Sequence, residues 1–153
     1  MRFDLVDNIL ELTADRAVTI KNVTAAEEYL ADHFPSFPVL PGVMMLEAMV
    51  QAARKLLEAR PPVSSGGSGG RRWVVGEVRN VRYGNMVRPG QQLRLTVELT
   101  KSEGDRHTFQ GRGEVDDTTA VQGRFTLRPV MPPAPAAAST DRTMETTHAH
   151  GPR

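Results

Sequence analysis

Residues 41–59, "PGVMMLEAMVQAARKLLEA", constrain the fold more than any other stretch of the chain. Proline is tolerated in the first turn of a helix, where its missing N–H would be unpaired anyway, so Pro41 and Gly42 mark a helix start. Behind them Val43, Met44, Met45, Leu46, Ala48, Met49, Val50, Ala52 and Ala53 form a surface that only Glu47 and Gln51 interrupt. A helix apolar on almost every side must be covered on almost every side. Arg54, Lys55 and Glu58 mark where it emerges into water.

The segments available to cover it read as strands. "FDLVDNILEL" (3–12) alternates loosely, and "AVTIKNVT" (17–24) sets β-branched residues at alternate positions. After the helix come "WVVGEVRNVRY" (73–83), "LRLTVELTK" (93–101), "HTFQGRGEV" (107–115) and "TAVQGRFTLRP" (119–129), separated by the turn sequences "RPGQQ", "EGD" and "DD". "TAAEEYLADHF" (24–34) predicts a second, short helix, opened by Thr24 with Glu27 three residues on, a capping-box spacing. Strands in series joined by short turns predict an antiparallel sheet, and the simplest α+β packing curves that sheet around the one long helix. The folded domain is expected over 1–130. "PPVSSGGSGG" (61–70) reads as a flexible loop, and the Pro- and Ala-rich tail 131–153 as disordered.

Several classes of function fall away. With no cysteine there is no disulfide, thiolate metal site or cysteine nucleophile. The two histidines of "HAH" in the tail are not expected to form a metal site. No run approaches 18 apolar residues and no secretory signal opens the chain, so no membrane span is expected and a cytoplasmic setting is. Charge is uneven: residues 54–94 hold 9 basic and 2 acidic side chains, whereas residues 1–53 hold 3 and 8. The basic stretch suits an anionic partner or an ordinary solvated surface. It lacks interleaved aromatics, which argues against nucleic acid.

Three features carry chemistry. Glu47 lies on the apolar helix, four residues from Gln51 and so on the same face. A carboxyl shut away from water tends to keep its proton and suits a general acid, unless it reaches an arginine or the surface at a subunit edge. His33 precedes Pro35, Pro38 and Pro41, whose spacing makes a stiff approach that would hold an imidazole in place for proton transfer. At the helix start, unpaired N–H groups can receive a developing oxyanion, and Gly42 leaves room for a ligand carbonyl to approach. Base, acid and oxyanion donor together suit proton abstraction beside a carbonyl with loss of a leaving group. His107, at a hairpin start, is expected only to pack.

The stretch "HFPSFPVLPGVMMLEAMVQA" resembles the signature of the bacterial 3-hydroxyacyl-[acyl-carrier-protein] dehydratases of the FabZ type, and the likeness extends over about residues 3–129. The resemblance implies the hot-dog fold, a sheet wrapped around a central helix. It implies elimination of water from a (3R)-3-hydroxyacyl thioester on acyl carrier protein in fatty-acid or related lipid or polyketide synthesis. His33 would take the C2 proton and Glu47 would protonate the departing hydroxyl. Gly42 would hold the thioester carbonyl and Gln51 would help place the acid. No cofactor or metal is implied beyond the phosphopantetheine arm carrying the substrate. The histidine and acid of one site would come from different subunits, making a homodimer the minimum and a trimer of dimers common. Asp32 and Ser36 stand where the family has glycine, and Gln91 replaces an acid. The alternatives are a catalytically silent hot-dog subunit that binds acyl carrier protein and a hot-dog thioesterase.

Overall fold

The structure, a computed structural model, describes residues 3–60 and 72–130. The loop expected at 61–70 and the tail expected at 131–153 lie outside them. The long helix α1 runs Gly42–Glu58, with Pro41 and Ala59 as its caps. Six strands form one sheet: β1 (Asn8–Leu12), β2 (Arg16–Asn22), β3 (Arg72–Tyr83), β4 (Gln92–Glu103), β5 (Arg106–Val115) and β6 (Thr118–Val130). Every neighbouring pair is antiparallel. The helix packs against β2, β3, β4, β5 and β6, so the sheet wraps it as a hot-dog fold does.

Period-two alternation does the wrapping. Leu93, Leu95 and Val97 of β4, Phe109 of β5, and Phe125 and Leu127 of β6 point inward and are buried against α1 residues such as Met49, Ala53 and Leu56. Full burial of a side chain of this size contributes about 1.5–3 kcal/mol. The helix packs tightly over Gly111, where an added Cβ would lie 2.6 Å from Sδ of Met49. The β5–β6 hairpin turns on Asp116 and Asp117, both at positive φ (48° and 62°), the backbone pattern of a tight two-residue turn matched to strand twist.

Three expectations need correcting. The strand order is β1-β2-β4-β5-β6-β3, so β3 and β4 are not neighbours. The connection 84–91 carries the chain across, β4 pairs with β2, and β3 is an edge strand beside β6. The first strand begins only at Asn8. Residues before it lie along the helix, where the Leu5 N–H donates to Oε1 of Gln51 at 2.7 Å and Leu5 is buried.

The helix expected over 24–34 is a single 3-10 turn, Glu28–Leu30. Half of the capping box forms, since the Thr24 N–H donates to Oε1 of Glu27 at 3.1 Å. That carboxylate also accepts from Nζ of Lys21 at 2.9 Å, and Lys21, only 8% exposed in its side chain, reaches Asp7 at 3.4 Å as well. Pro35 disfavours helical backbone at Phe34 and limits any extension. Among the described residues no helix is long and apolar enough to cross a membrane.

Candidate active site

The approach to α1 is tied down by its own backbone. The Val39 N–H donates to the His33 carbonyl at 3.0 Å, the Phe37 N–H to the Phe34 carbonyl at 2.9 Å, and the Leu40 N–H to the Val87 carbonyl at 2.7 Å. The last of these pins the loop to the segment that follows β3. The His33–Phe34 peptide is cis. Within this frame Nδ1 of His33 sits 3.0 Å from the Val39 carbonyl oxygen, and its ring stacks on Phe34 at 4.5 Å between centroids. A carbonyl can only accept, so in the neutral ring Nδ1 carries the hydrogen and Nε2 keeps a free lone pair. Asp32 is exposed and makes no ion pair with His33.

At the helix start, the N–H groups of Met44 and Met45 donate to the Pro41 carbonyl, while those of Gly42 and Val43 reach no acceptor among the described residues. The bare face of Gly42 is not empty. A Cβ there would fall 2.8 Å from Cε1 and 2.9 Å from Cζ of Tyr83. Tyr83, the last residue of β3 and half exposed, thus flanks the helix start; the sequence reading had passed over it. The only signal was a tyrosine closing a strand. Gln91, standing where the family has an acid, keeps an acceptor in place: its Oε1 receives the Arg88 N–H at 2.8 Å.

Glu47 takes the arginine-paired, partly exposed alternative rather than the sealed one. Val43, Glu47, Gln51 and Arg54 fall on one stripe of α1 that is only partly covered: Val43 is 69% exposed and the Glu47 side chain 33%. Glu47 also has a cation beside it, with Nη1 of Arg54 2.9 Å from its Oε1. Nε2 of Gln51 donates to the same oxygen at 3.1 Å. His107 packs, as expected, against Trp73 at 5.1 Å, with Oγ of Ser102 2.6 Å from its Nδ1.

Within one chain His33 and Glu47 are bonded to different partners. The bonds of His33 run to Val39 and those of Glu47 to Gln51 and Arg54, and none joins His33 to Glu47. Phe34, Phe37, Val43, Tyr83 and Met86 are exposed apolar residues; of these Phe34 stacks on His33 and Tyr83 flanks Gly42. Arg88 of the basic stretch lies over the Phe37 ring at 4.4 Å. Arg79 and Arg82 instead share a face of the sheet with Arg124 and Arg112, as the strand registers require.

Residues 1–124 match the model of the FabA-like domain. The chain is 36% identical over 125 residues to the 3-hydroxyacyl-[acyl-carrier-protein] dehydratase FabZ of Lactococcus lactis subsp. lactis (strain IL1403), covering 82% of this chain and 83% of that one. The chain belongs to the FabZ-type 3-hydroxyacyl-[acyl-carrier-protein] dehydratase family. A second FabZ-type relative, from Streptococcus pneumoniae (strain Hungary19A-6), is 35% identical over 123 residues, covering 80% of this chain and 84% of its own. Among solved structures, the dehydratase heterocomplex ApeI:P from Xenorhabdus doucetiae superposes with a TM-score of 0.62 at 20% identity, over 83% of this chain and 99% of that one. The fluoroacetyl-CoA-specific thioesterase FlK superposes with a TM-score of 0.60 at 17% identity, over 76% and 85%. At such identities these two speak for the hot-dog fold alone, whereas the FabZ-type relatives speak for the family.

Proposed function

We propose that this protein removes water from a (3R)-3-hydroxyacyl thioester carried on acyl carrier protein, giving the trans-2-enoyl thioester, in fatty-acid or a related biosynthesis. The observation that carries the reading is the posture of His33. Its Nδ1 is fixed on the Val39 carbonyl, which leaves the Nε2 lone pair available as a base, and among the described residues the first N–H groups of α1 reach no acceptor.

The thioester carbonyl accepts from the Gly42 N–H, which stabilises the charge that develops on its oxygen when the C2 proton leaves. Nε2 of His33 takes that proton. The electron pair of the C2–H bond becomes the C2–C3 double bond as the C3–O bond breaks. Glu47, oriented by Gln51, gives a proton to the departing hydroxyl directly or through water, which leaves as water. His33 and Glu47 carry the two proton transfers, and the Gly42 N–H only donates a hydrogen bond.

Glu47 and the imidazole would come from different copies in a homodimer. Three features support that reading: the exposure of Val43 and Glu47 on α1, the exposed Phe34 stacked on His33, and strand β3, twelve residues long and paired among the described residues only with β6. A long unpaired edge invites pairing with a second chain.

The test is turnover of 3-hydroxyacyl carrier protein by the purified protein. Enoyl product supports the proposal. Free acid would point to a thioesterase, and binding without turnover to a silent subunit; either would contradict it.

A further inference from the structure

Arg54 has no part in the scheme above, yet it is the charged residue in contact with the proposed acid. Its Nη1 lies 2.9 Å from Oε1 of Glu47, and its Nε donates to the Trp73 carbonyl at 3.1 Å. The second bond matters because it anchors the guanidinium to β3, an element the helix itself does not control. Gln51 grips the same carboxylate from another direction. Its Nε2 donates to Oε1 of Glu47 at 3.1 Å and to the Phe3 carbonyl at 3.3 Å, while its Oε1 accepts from Leu5. Glu47 is thus held between the N-terminal segment, reached through Gln51, and β3, reached through Arg54. Residues 47, 51 and 54 lie within one stripe of the helix, so each grip comes from the turns that follow Glu47.

Both donors converge on Oε1, and among the described residues none reaches Oε2. The last torsion of a glutamate is broad and has no strong preference of its own. Two donors fixed on separate elements select one carboxyl plane and one free oxygen. We infer that Arg54 is a positioning residue of the dehydration: braced on the Trp73 carbonyl, its guanidinium holds Oε1 of Glu47 so that Oε2 is the oxygen presented to the leaving hydroxyl. The inference rests on the dehydratase reading and extends it to a residue outside the motif. An ion pair this exposed contributes little to stability, so its loss shows in turnover before it shows in folding.

The test compares wild type, Arg54→Ala and Arg54→Lys by kcat, KM and thermal midpoint on 3-hydroxyacyl carrier protein, with and without guanidinium at sub-denaturing concentration. Arg54→Ala should lose about 100-fold in kcat, the scale of a misplaced catalytic group, with KM within about twofold and the midpoint nearly unchanged. Guanidinium in solution should restore part of that kcat. Arg54→Lys keeps the charge but lacks the fork that spans both acceptors, and should fall between the two, which keeps the test decisive if the alanine variant folds poorly. Wild-type kcat in both variants, a loss confined to KM, or a loss that guanidinium does not relieve would overturn the role of Arg54. A wild type that yields no enoyl product would instead overturn the dehydratase reading, and this inference with it.

Discussion

The ring of Tyr83 stands where a side chain on Gly42 would begin: a Cβ at that position would lie 2.8 Å from Cε1 of the tyrosine. The end of β3 and the start of α1 therefore meet so closely that a side chain at position 42 would have to displace the Tyr83 ring. Gly42→Ala should cost about 1–3 kcal/mol in denaturant unfolding, as overpacking does, and lower kcat by shifting the N–H that is to receive the thioester oxygen. In a double-mutant cycle with Tyr83→Ala the two stability losses should fall short of additive by at least about 0.5 kcal/mol, because removing the ring removes the clash. Strict additivity would mean that the two residues do not press on each other.

His33 is expected to act through Nε2, since Nδ1 is committed to the Val39 carbonyl. His33→Ala should reduce kcat by about 100-fold to 10,000-fold, the range spanned by loss of a general base, with circular dichroism and thermal midpoint close to wild type. A variant that keeps more than about a tenth of the wild-type kcat would remove His33 from the proton transfer.

Stability should depend on Lys21 more than on any exposed ion pair. Its ammonium group is nearly buried and bonds Glu27, Asp7 and the Asn22 carbonyl at once, so it joins β2 to the segments on either side of it. Lys21→Ala should lower the free energy of unfolding in urea by about 3 kcal/mol, because it strands partly buried carboxylates without a cation. Lys101→Ala, which removes a surface pair with Glu103, should change it by less than about 1 kcal/mol. Equal losses for the two would show that the Lys21 cluster is not a structural tie.

Much of the fold was legible because its signals are local. Strict alternation in "LRLTVELTK" and the apolar run that Pro41 opens each fix an element without reference to anything distant. Strand order was not legible, since nothing in residues 84–91 states that the chain crosses to β2 before turning back. The helix expected at 24–34 failed because Glu27 was drawn to Lys21, a partner six residues away, and because Pro35 follows closely. At the candidate site, His33, Gly42, Glu47 and Gln51 stand out in the sequence by residue type, by spacing and by the family resemblance. Tyr83 and Arg54 were not, for their positions follow from how β3 lies against α1 rather than from any motif. Whether Glu47 is sealed or meets an arginine stayed open for a related reason: an apolar sequence tells how much surface must be covered, not whether the same chain covers it.

The proposal stands or falls on whether one site draws His33 from one copy and Glu47 from another, and mixing two inactive variants measures that directly. His33→Ala and Glu47→Gln are each expected to be inactive alone. Unfolded together in equal amounts and refolded, half of the dimers should contain one of each. Each such dimer holds one site with both groups intact, so dehydratase activity should return to about a quarter of the wild-type level. A mixture as inactive as its components, with mixed dimers verified by native mass spectrometry, would contradict a site shared between copies.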